Sequence, residues 1–453
     1  MVTKEIIDKQ REYYLKGNTL SVDKRIAYLK KLRNVIKKYD AEINKALKED
    51  LNKHVFESKM TETGIVLEEI NYVLKNIRKW SRDIRVKTPI AQFYSKSFVH
   101  PEPYGVVLIM SPWNYPFQLA IEPLIGALAA GNCGVIKPSA YAKETSIMIK
   151  KIINDVFPKE YVEVVLGGRE ENKELLNEKF DYIFFTGSVN VGKYVMECAS
   201  KNLTPISLEL GGKSPVIIDD TANIKLAAKR IAWGKIINAG QTCVAPDYVL
   251  INQKVKEDFI NEYIHIMGVF FDDKNYKSLP RIINDKHFDR VLSLIDFNKV
   301  VFGGDNDKET RFIEPTLMDK VTFDDDIMKE EIFGPILPLI EYKDIEEAIN
   351  AINKRPCPLA LYLFTQDDSV KKKIISRIKF GGGCINDTII HVATSNMAFG
   401  GVGESGMGGY HGKASFDTFT HYKAIVDKAT FIDLPLRYPP YTKLKKKVLD
   451  KVM

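Results

Sequence analysis

The sequence predicts an α/β protein built on two parallel sheets, with a small extended element at 82–104. Two observations carry this. From Val106 onward, short apolar runs at 106–110, 133–136, 161–166 and 182–185 alternate with segments of helical periodicity. A second alternation begins near Ser207, with apolar runs at 215–218, 248–251, 337–341 and 360–364. Strands that alternate with helices are joined by crossovers, which makes neighbouring strands parallel.

Residues 1–80 read as helical. Ile26, Leu29, Leu32, Val35 and Ile36 recur at helical spacing, as do Ile65, Leu67, Ile70, Val73, Leu74 and Ile77. At 82–104 the pattern changes to alternation broken by Pro89, Pro101 and Pro103, which suggests an extended excursion. The end, 431–453, is basic and carries Lys443, Lys445, Lys446, Lys447 and Lys451. So short a tail buries little apolar area, and a frayed, solvated end is expected rather than a membrane-surface helix.

Composition narrows the class. The 453 residues carry 66 basic and 59 acidic side chains, a net charge of +7, and 45% of them are hydrophobic. A chain this long buries a sizeable core without metals or disulfides. The small positive excess is spread along the chain and gathers in no patch with aromatics, which argues against a nucleic-acid partner. The five cysteines, Cys133, Cys198, Cys243, Cys357 and Cys384, form no C-x-x-C pair. Free thiols in a reducing compartment are expected, with no metal. The charged N-terminus has no secretory h-region, and no apolar stretch is long enough to span a bilayer.

Five segments carry chemistry. In Asn238-Ala-Gly-Gln-Thr-Cys243 a glycine precedes a cysteine, which suits close backbone approach at a site, and a catalytic thiol is one reading; alone, a single Cys is more often a small core residue. In Ser207-Leu-Glu-Leu-Gly-Gly-Lys-Ser-Pro215 the carboxylate of Glu209 lies between leucines. Apolar surroundings raise a carboxyl pKa, as a general base working near neutrality requires. Phe185-Thr-Gly-Ser-Val-Asn-Val-Gly-Lys193 ends an apolar run in a glycine turn and restarts a helical pattern, where backbone N–H groups attract phosphate. It is neither G-x-G-x-x-G nor a P-loop. Met110-Ser-Pro-Trp-Asn-Tyr-Pro-Phe117 is a proline-stiffened loop in which Asn114 offers two amide donors suited to an oxyanion. Lys137 ends the next apolar run, and Glu331-Ile-Phe-Gly-Pro335 places a carboxylate near an aromatic ring.

Together, and in this order, these segments resemble the aldehyde dehydrogenase superfamily. The likeness runs from the helical N-terminus to about Lys428. It is greatest to the class 3 type, through Trp233-Gly-Lys and Gly400-Gly-Val-Gly-Glu-Ser-Gly-Met-Gly-Gly-Tyr-His-Gly412. The resemblance implies a Rossmann-like NAD(P)-binding domain at 1–81 and 105–208 and a catalytic domain at 209–398. It also implies an oligomerisation element at 82–104 and 420–430, a homodimer and a cytoplasmic enzyme. Cys243 would be the nucleophile, Glu209 the general base and Asn114 the oxyanion donor. Lys137 would meet the adenosine ribose, and Gly187, Ser188 and Gly192 the pyrophosphate. Glu331 and Phe333 would hold the nicotinamide riboside, and Tyr115 and Trp233 would wall the substrate tunnel.

The implied reaction oxidises an aldehyde, medium- or long-chain aliphatic or aromatic, to its acid through a thiohemiacetal and a thioester. NAD or NADP is the implied cofactor. Many NAD-preferring relatives carry Glu where Ala140 stands, so NADP use is expected. Two rivals are a CoA-acylating enzyme of the same fold and a cofactor-free Cys–His hydrolase using His391, His411 or His421. The retained Glu209 argues against the first, since a base is needed where water is the acceptor. Around Cys243 the signatures of the second are absent.

Overall fold

The computed structural model describes residues 2–272 and 275–452. Met1 of the expected helical stretch, positions 273–274 of the expected 209–398 domain and Met453 of the tail lie outside the described residues.

The N-terminal periodicity becomes four long helices, Val2–Leu15, Val22–Lys38, Asp40–Leu51 and Gly64–Trp80. Ser21 caps the second by accepting from the Lys24 N–H, and Asn52, left-handed at φ 54°, ends the third. The stripe Leu29, Leu32, Ile36, Val66, Ile70, Val73 and Ile77 is fully buried. Each such aliphatic side chain contributes roughly 1.5–3 kcal/mol relative to exposure. Between Asp40–Leu51 and Gly64–Trp80 the chain makes a short helix, Val55–Ser58, and a π turn, Lys59–Thr63.

Behind these helices lies the first sheet. Its strands stand in the order Val162–Val164, Cys133–Lys137, Val106–Met110, Tyr182–Gly187, Ile206–Leu210 and Gly406–Met407. The first five are parallel; Gly406–Met407 is antiparallel to Ile206–Leu210. The chain winds one way from Val106–Met110 and then returns on its other side, so a switch point falls between Val106–Met110 and Tyr182–Gly187. In open α/β sheets ligands bind in the crevice at the carboxyl ends of such strands. The helix Gln118–Ala130, buried along its whole length, packs against this sheet.

Ile206–Leu210 pairs with Tyr182–Gly187, so the first sheet runs past the expected boundary at residue 209, and Glu209 belongs to it. The second sheet is seven-stranded and includes Pro215–Ile218, Tyr248–Asn252, Ile336–Tyr342 and Ala360–Phe364. Its own apolar layer includes Ile217, Leu250, Ile336, Leu361 and Leu363.

The excursion at 82–104 forms Ile84–Val86 and Ser95–Pro103, and Thr420–Lys428 adds antiparallel to the latter over nine residue pairs, making a three-stranded sheet. The expected frayed tail is instead a helix, Lys443–Val452. Its Lys446–Asp450 pair, 2.8 Å apart, has the i,i+4 spacing that supports exposed helices. Among the described residues no helix is long and apolar enough to cross a membrane.

Candidate active site

The site is built at the switch point. Pro112, Trp113 and Asn114 follow the strand Val106–Met110; Gly187 ends the strand Tyr182–Gly187, and Ser188 and Val189 come next. With Glu209 and Gly211 from the next strand end, they line a cleft of about 360 Å³. Its far wall comes from beyond the second sheet: His287, Arg290, Glu331 and Phe333. Cys243 is in this wall too.

A second cavity, about 110 Å³, lies on the other side of Cys243. Tyr115, Trp233, Ile237, Ile389, Val392 and Phe399 make it apolar. Only Cys243 and Leu119 line both spaces. Met60, Trp233 and Ile237 also line an outer hollow bounded by Phe56, Phe270 and Phe271, so an apolar path leads from the surface towards the sulfur.

The segment before Cys243 is wound tightly. Asn238, Ala239 and Gly240 all have positive φ, at 51°, 51° and 71°. Asn and Gly adopt this region at least cost, and a Cβ on Gly240 would lie 2.2 Å from the Gly334 carbonyl oxygen. Gln241 locks the turn: its Nε2 donates to the carbonyls of Asn238 and Arg281, and its Oε1 accepts from the Ile283 N–H. The Asn114 amide donates to the Gln241 carbonyl at 3.0 Å, and the Asn238 amide donates to the Asn114 carbonyl at 2.8 Å. The Asn114 loop and the Cys243 loop are therefore tied to each other. Tyr115 is fixed by its hydroxyl, 2.6 Å from Thr242 Oγ1.

Residues 3–425 match the sequence pattern of the Aldehyde dehydrogenase family. The chain belongs to that family. It is 49% identical over 436 residues to the 4,4'-diaponeurosporen-aldehyde dehydrogenase of Staphylococcus aureus, covering 95% of each chain. It is 42% identical to the dimeric NADP-preferring aldehyde dehydrogenase of Canis lupus familiaris, covering 96% of this chain and 97% of the other. The solved structure of Staphylococcus aureus AldH in its substrate-bound state superposes with a TM-score of 0.97 at 46% identity over 99% of both chains. As an aldehyde dehydrogenase it is an oxidoreductase that converts an aldehyde to the carboxylic acid in an NAD(P)-dependent reaction.

The electrostatics of this aldehyde dehydrogenase hold the resting site protonated. Burial pushes the Cys243 thiol up to about 12, and the charges of Glu331 and Glu209 add to the effect; the N–H groups of Cys243 and Val244 oppose it. Burial alone carries Glu209 well above the usual carboxyl range. Neither of its oxygens has a protein partner. Burial and Asp247 raise Glu331 to about 8. Burial and the nearby cations Arg290 and Lys286 depress His287, which leaves it neutral near pH 7.

A dinucleotide fits the cleft. Ser188 stands at the start of the helix Val189–Ser200 without a side-chain cap bond, so the first N–H groups of that helix are available to a phosphate. Glu331 Oε1 is buried and unpartnered. Its carboxylate occupies the space a Gly211 side chain would fill, since a Cβ there would lie 2.0 Å from Glu331 Oε2. The ring of Phe333, held at φ 50°, meets Trp113 edge-on at 5.3 Å.

Two expected cofactor residues stand apart from the cleft lining. The Lys137 ammonium is buried and donates to the carbonyls of Pro138 and Gly167 at 2.9 and 2.7 Å. A Cβ on Gly192 would meet Leu210 at 2.6 Å, so this glycine brings its helix close to the strand carrying Glu209. His287 and Arg290 stand in no local motif of the sequence and reach the cleft only through the fold. Of the histidines singled out for a hydrolase, His391 faces Cys384 at 3.5 Å, His421 stands against the Tyr104 ring, and His411 lines the apolar cavity but is paired with Glu122 at 2.8 Å. Among the described residues no histidine is hydrogen-bonded to Cys243.

Proposed function

We propose that Cys243 is the nucleophile, Glu209 the general base and Asn114 the side-chain oxyanion donor. The observation that carries this reading is the position of Cys243 in the partition between two cavities. On one side stand Glu209, Asn114 and the dinucleotide groups; on the other stand Tyr115 and Trp233. The aldehyde occupies the apolar side, which favours medium- or long-chain aliphatic and aromatic substrates.

The Cys243 sulfur gives up its proton and adds to the carbonyl carbon. The oxygen becomes an alkoxide, which the Asn114 amide and the Cys243 N–H stabilise. A nicotinamide dinucleotide supplies, when bound, the hydride acceptor of the reaction. The first turn after Ser188, together with Gly187, takes the pyrophosphate, and Gly192 sets how closely that helix approaches. Glu331 and Phe333 hold the nicotinamide riboside, and Lys137 is reserved for the other ribose. Glu209, once deprotonated, takes a proton from the water that hydrolyses the acyl-cysteine.

NADP+ serves at least as well as NAD+, because exposed Ala140 presents no carboxylate to a 2′-phosphate and Lys143 stands close in sequence. The NADP-preferring canine relative is consistent with this. The same relative is named as dimeric, and we assign a homodimer to this chain through the three-stranded sheet of 82–104 and 420–430. The cofactor domain is assigned to 1–81 and 105–208 and the catalytic domain to 209–398, with strand Ile206–Leu210 straddling the division. The enzyme is assigned to the cytoplasm. A spectrophotometric panel of aldehydes, each with NAD+ and NADP+, tests the reading: reduced cofactor should accumulate with apolar aldehydes. Tenfold better efficiency with NAD+ than NADP+ would overturn the cofactor assignment.

A further inference from the structure

A buried ion pair lies directly beneath Asn114. Lys53 and Glu62 are each wholly inaccessible, and Lys53 Nζ lies 2.6 Å from Glu62 Oε1. Removing two charges from water is costly, and replacing such a pair by well-packed apolar residues is often neutral or stabilising. Stability therefore gives no reason for the pair, and the groups it touches supply one. The Lys53 ammonium also donates to the backbone carbonyl of Asn114 at 3.2 Å and lies over the Tyr115 ring at 4.3 Å. The other oxygen of Glu62 accepts from the N–H groups of Phe117 and Gln118 at 3.1 and 2.9 Å. These N–H groups open the buried helix Gln118–Ala130, which has no side-chain cap of its own. The ammonium grips one end of the segment 114–118 and the carboxylate grips the other.

The sequence brings Glu62 there through the π turn Lys59–Thr63, a local widening of the helix that recurs at functional sites. The same stretch reaches the other loop, where Glu57 Oε1 accepts from the Asn238 N–H at 2.8 Å. Residues 53–62 thus touch both segments that meet at Cys243, through bonds that span from 55 to 181 positions of sequence.

We propose that Lys53 and Glu62 are positioning residues: they hold the backbone of segment 114–118 so that the Asn114 amide stays directed at the carbonyl oxygen of the substrate. This rests on the oxyanion role given to Asn114. A displacement of about 1 Å in such a donor costs about 10²-fold in rate.

The test is a double-mutant cycle in the full-length enzyme. Lys53→Met with Glu62→Gln removes both charges, nearly conserves volume and leaves an amide oxygen for the helix N–H groups. With Asn114 present, kcat should fall about 10- to 100-fold, while KM for NAD(P)+ and cooperative thermal unfolding stay close to those of the parent. In an Asn114→Ala background the same pair should cost less than about threefold, because no amide remains to be misdirected. Glu62→Asp, which keeps both charges but draws the carboxylate back from the helix N–H groups, should show the same dependence on Asn114 if the double variant does not fold. An equal loss in both backgrounds, or an undiminished kcat, overturns the proposal. If Asn114→Ala itself keeps full activity, the oxyanion reading fails, and this separate arm of the cycle shows it.

Discussion

The two cavities that meet at Cys243 are built in different ways. The cleft is the more polar of the two, and many of its groups sit on strand ends of one sheet: Asn114, Gly187, Ser188 and Glu209. The smaller cavity is apolar and assembled from distant segments, among them Tyr115, Trp233, Ile237, Ile389 and Phe399. A dinucleotide makes the same demands in any enzyme that binds it, so its groups are held by regular structure. An aldehyde side chain demands only shape and apolar contact, which any packed side chains can supply. Substitutions on the two sides should therefore fail differently: cleft changes in chemistry or cofactor use, tunnel changes in choice of aldehyde.

The sharpest test removes what both sides share. Cys243→Ser should reduce aldehyde-dependent reduction of NAD(P)+ to background with every substrate; retained turnover would detach the sulfur from both cavities. Next, Asn114→Ala should lower kcat by about 10²–10³ with every aldehyde, measured under saturating cofactor. Glu209→Gln should separate the two halves of the reaction. Stopped-flow absorbance should show a burst of reduced cofactor followed by slow turnover, and a normal steady state without a burst would assign the base elsewhere.

The pH profile probes the same side. Cys243 and Glu209 both have raised pKa values, so each keeps its proton to a higher pH than it would in water. Each acts only after losing its proton, so the active fraction grows as pH rises. Between pH 6 and 9, kcat/KM should climb by up to about tenfold per unit, and a flat profile would contradict the protonated resting state. Trp233→Ala should act on the apolar side, raising KM for an aromatic aldehyde about tenfold while leaving KM for the cofactor unchanged. The smallest effect is expected from Ala140→Glu, a single exposed charge worth about 1 kcal/mol. It should shift the NADP+/NAD+ efficiency ratio several-fold towards NAD+.

The legibility of the sequence follows the same contrast. Runs at 215–218 and 360–364 become strands with those bounds, because both are continuous apolar segments in the middle of a parallel sheet. Gly382–Ile385 escapes notice for a physical reason. A Cβ on Gly383 would lie 2.0 Å from the Leu361 carbonyl oxygen, so close strand approach requires the residue that gives no strand signal. In the site, Cys243, Glu209 and Asn114 stand in short motifs that the sequence singles out, although none of those motifs fixes a role by itself. Lys53 and Glu62 do not, since their meaning lies in contacts with 114–118. His287 and Arg290 likewise acquire a role only once the second sheet carries them to the cleft.

Gly211 shows how far such dependence extends. The room left by its missing side chain is where the Glu331 carboxylate rests. A methyl group added at this glycine would evict the carboxylate and narrow the space in front of Cys243. An apparently neutral Gly211→Ala exchange would thus act as a wedge against Glu331, touching neither the Cys243 sulfur nor the Glu209 carboxyl.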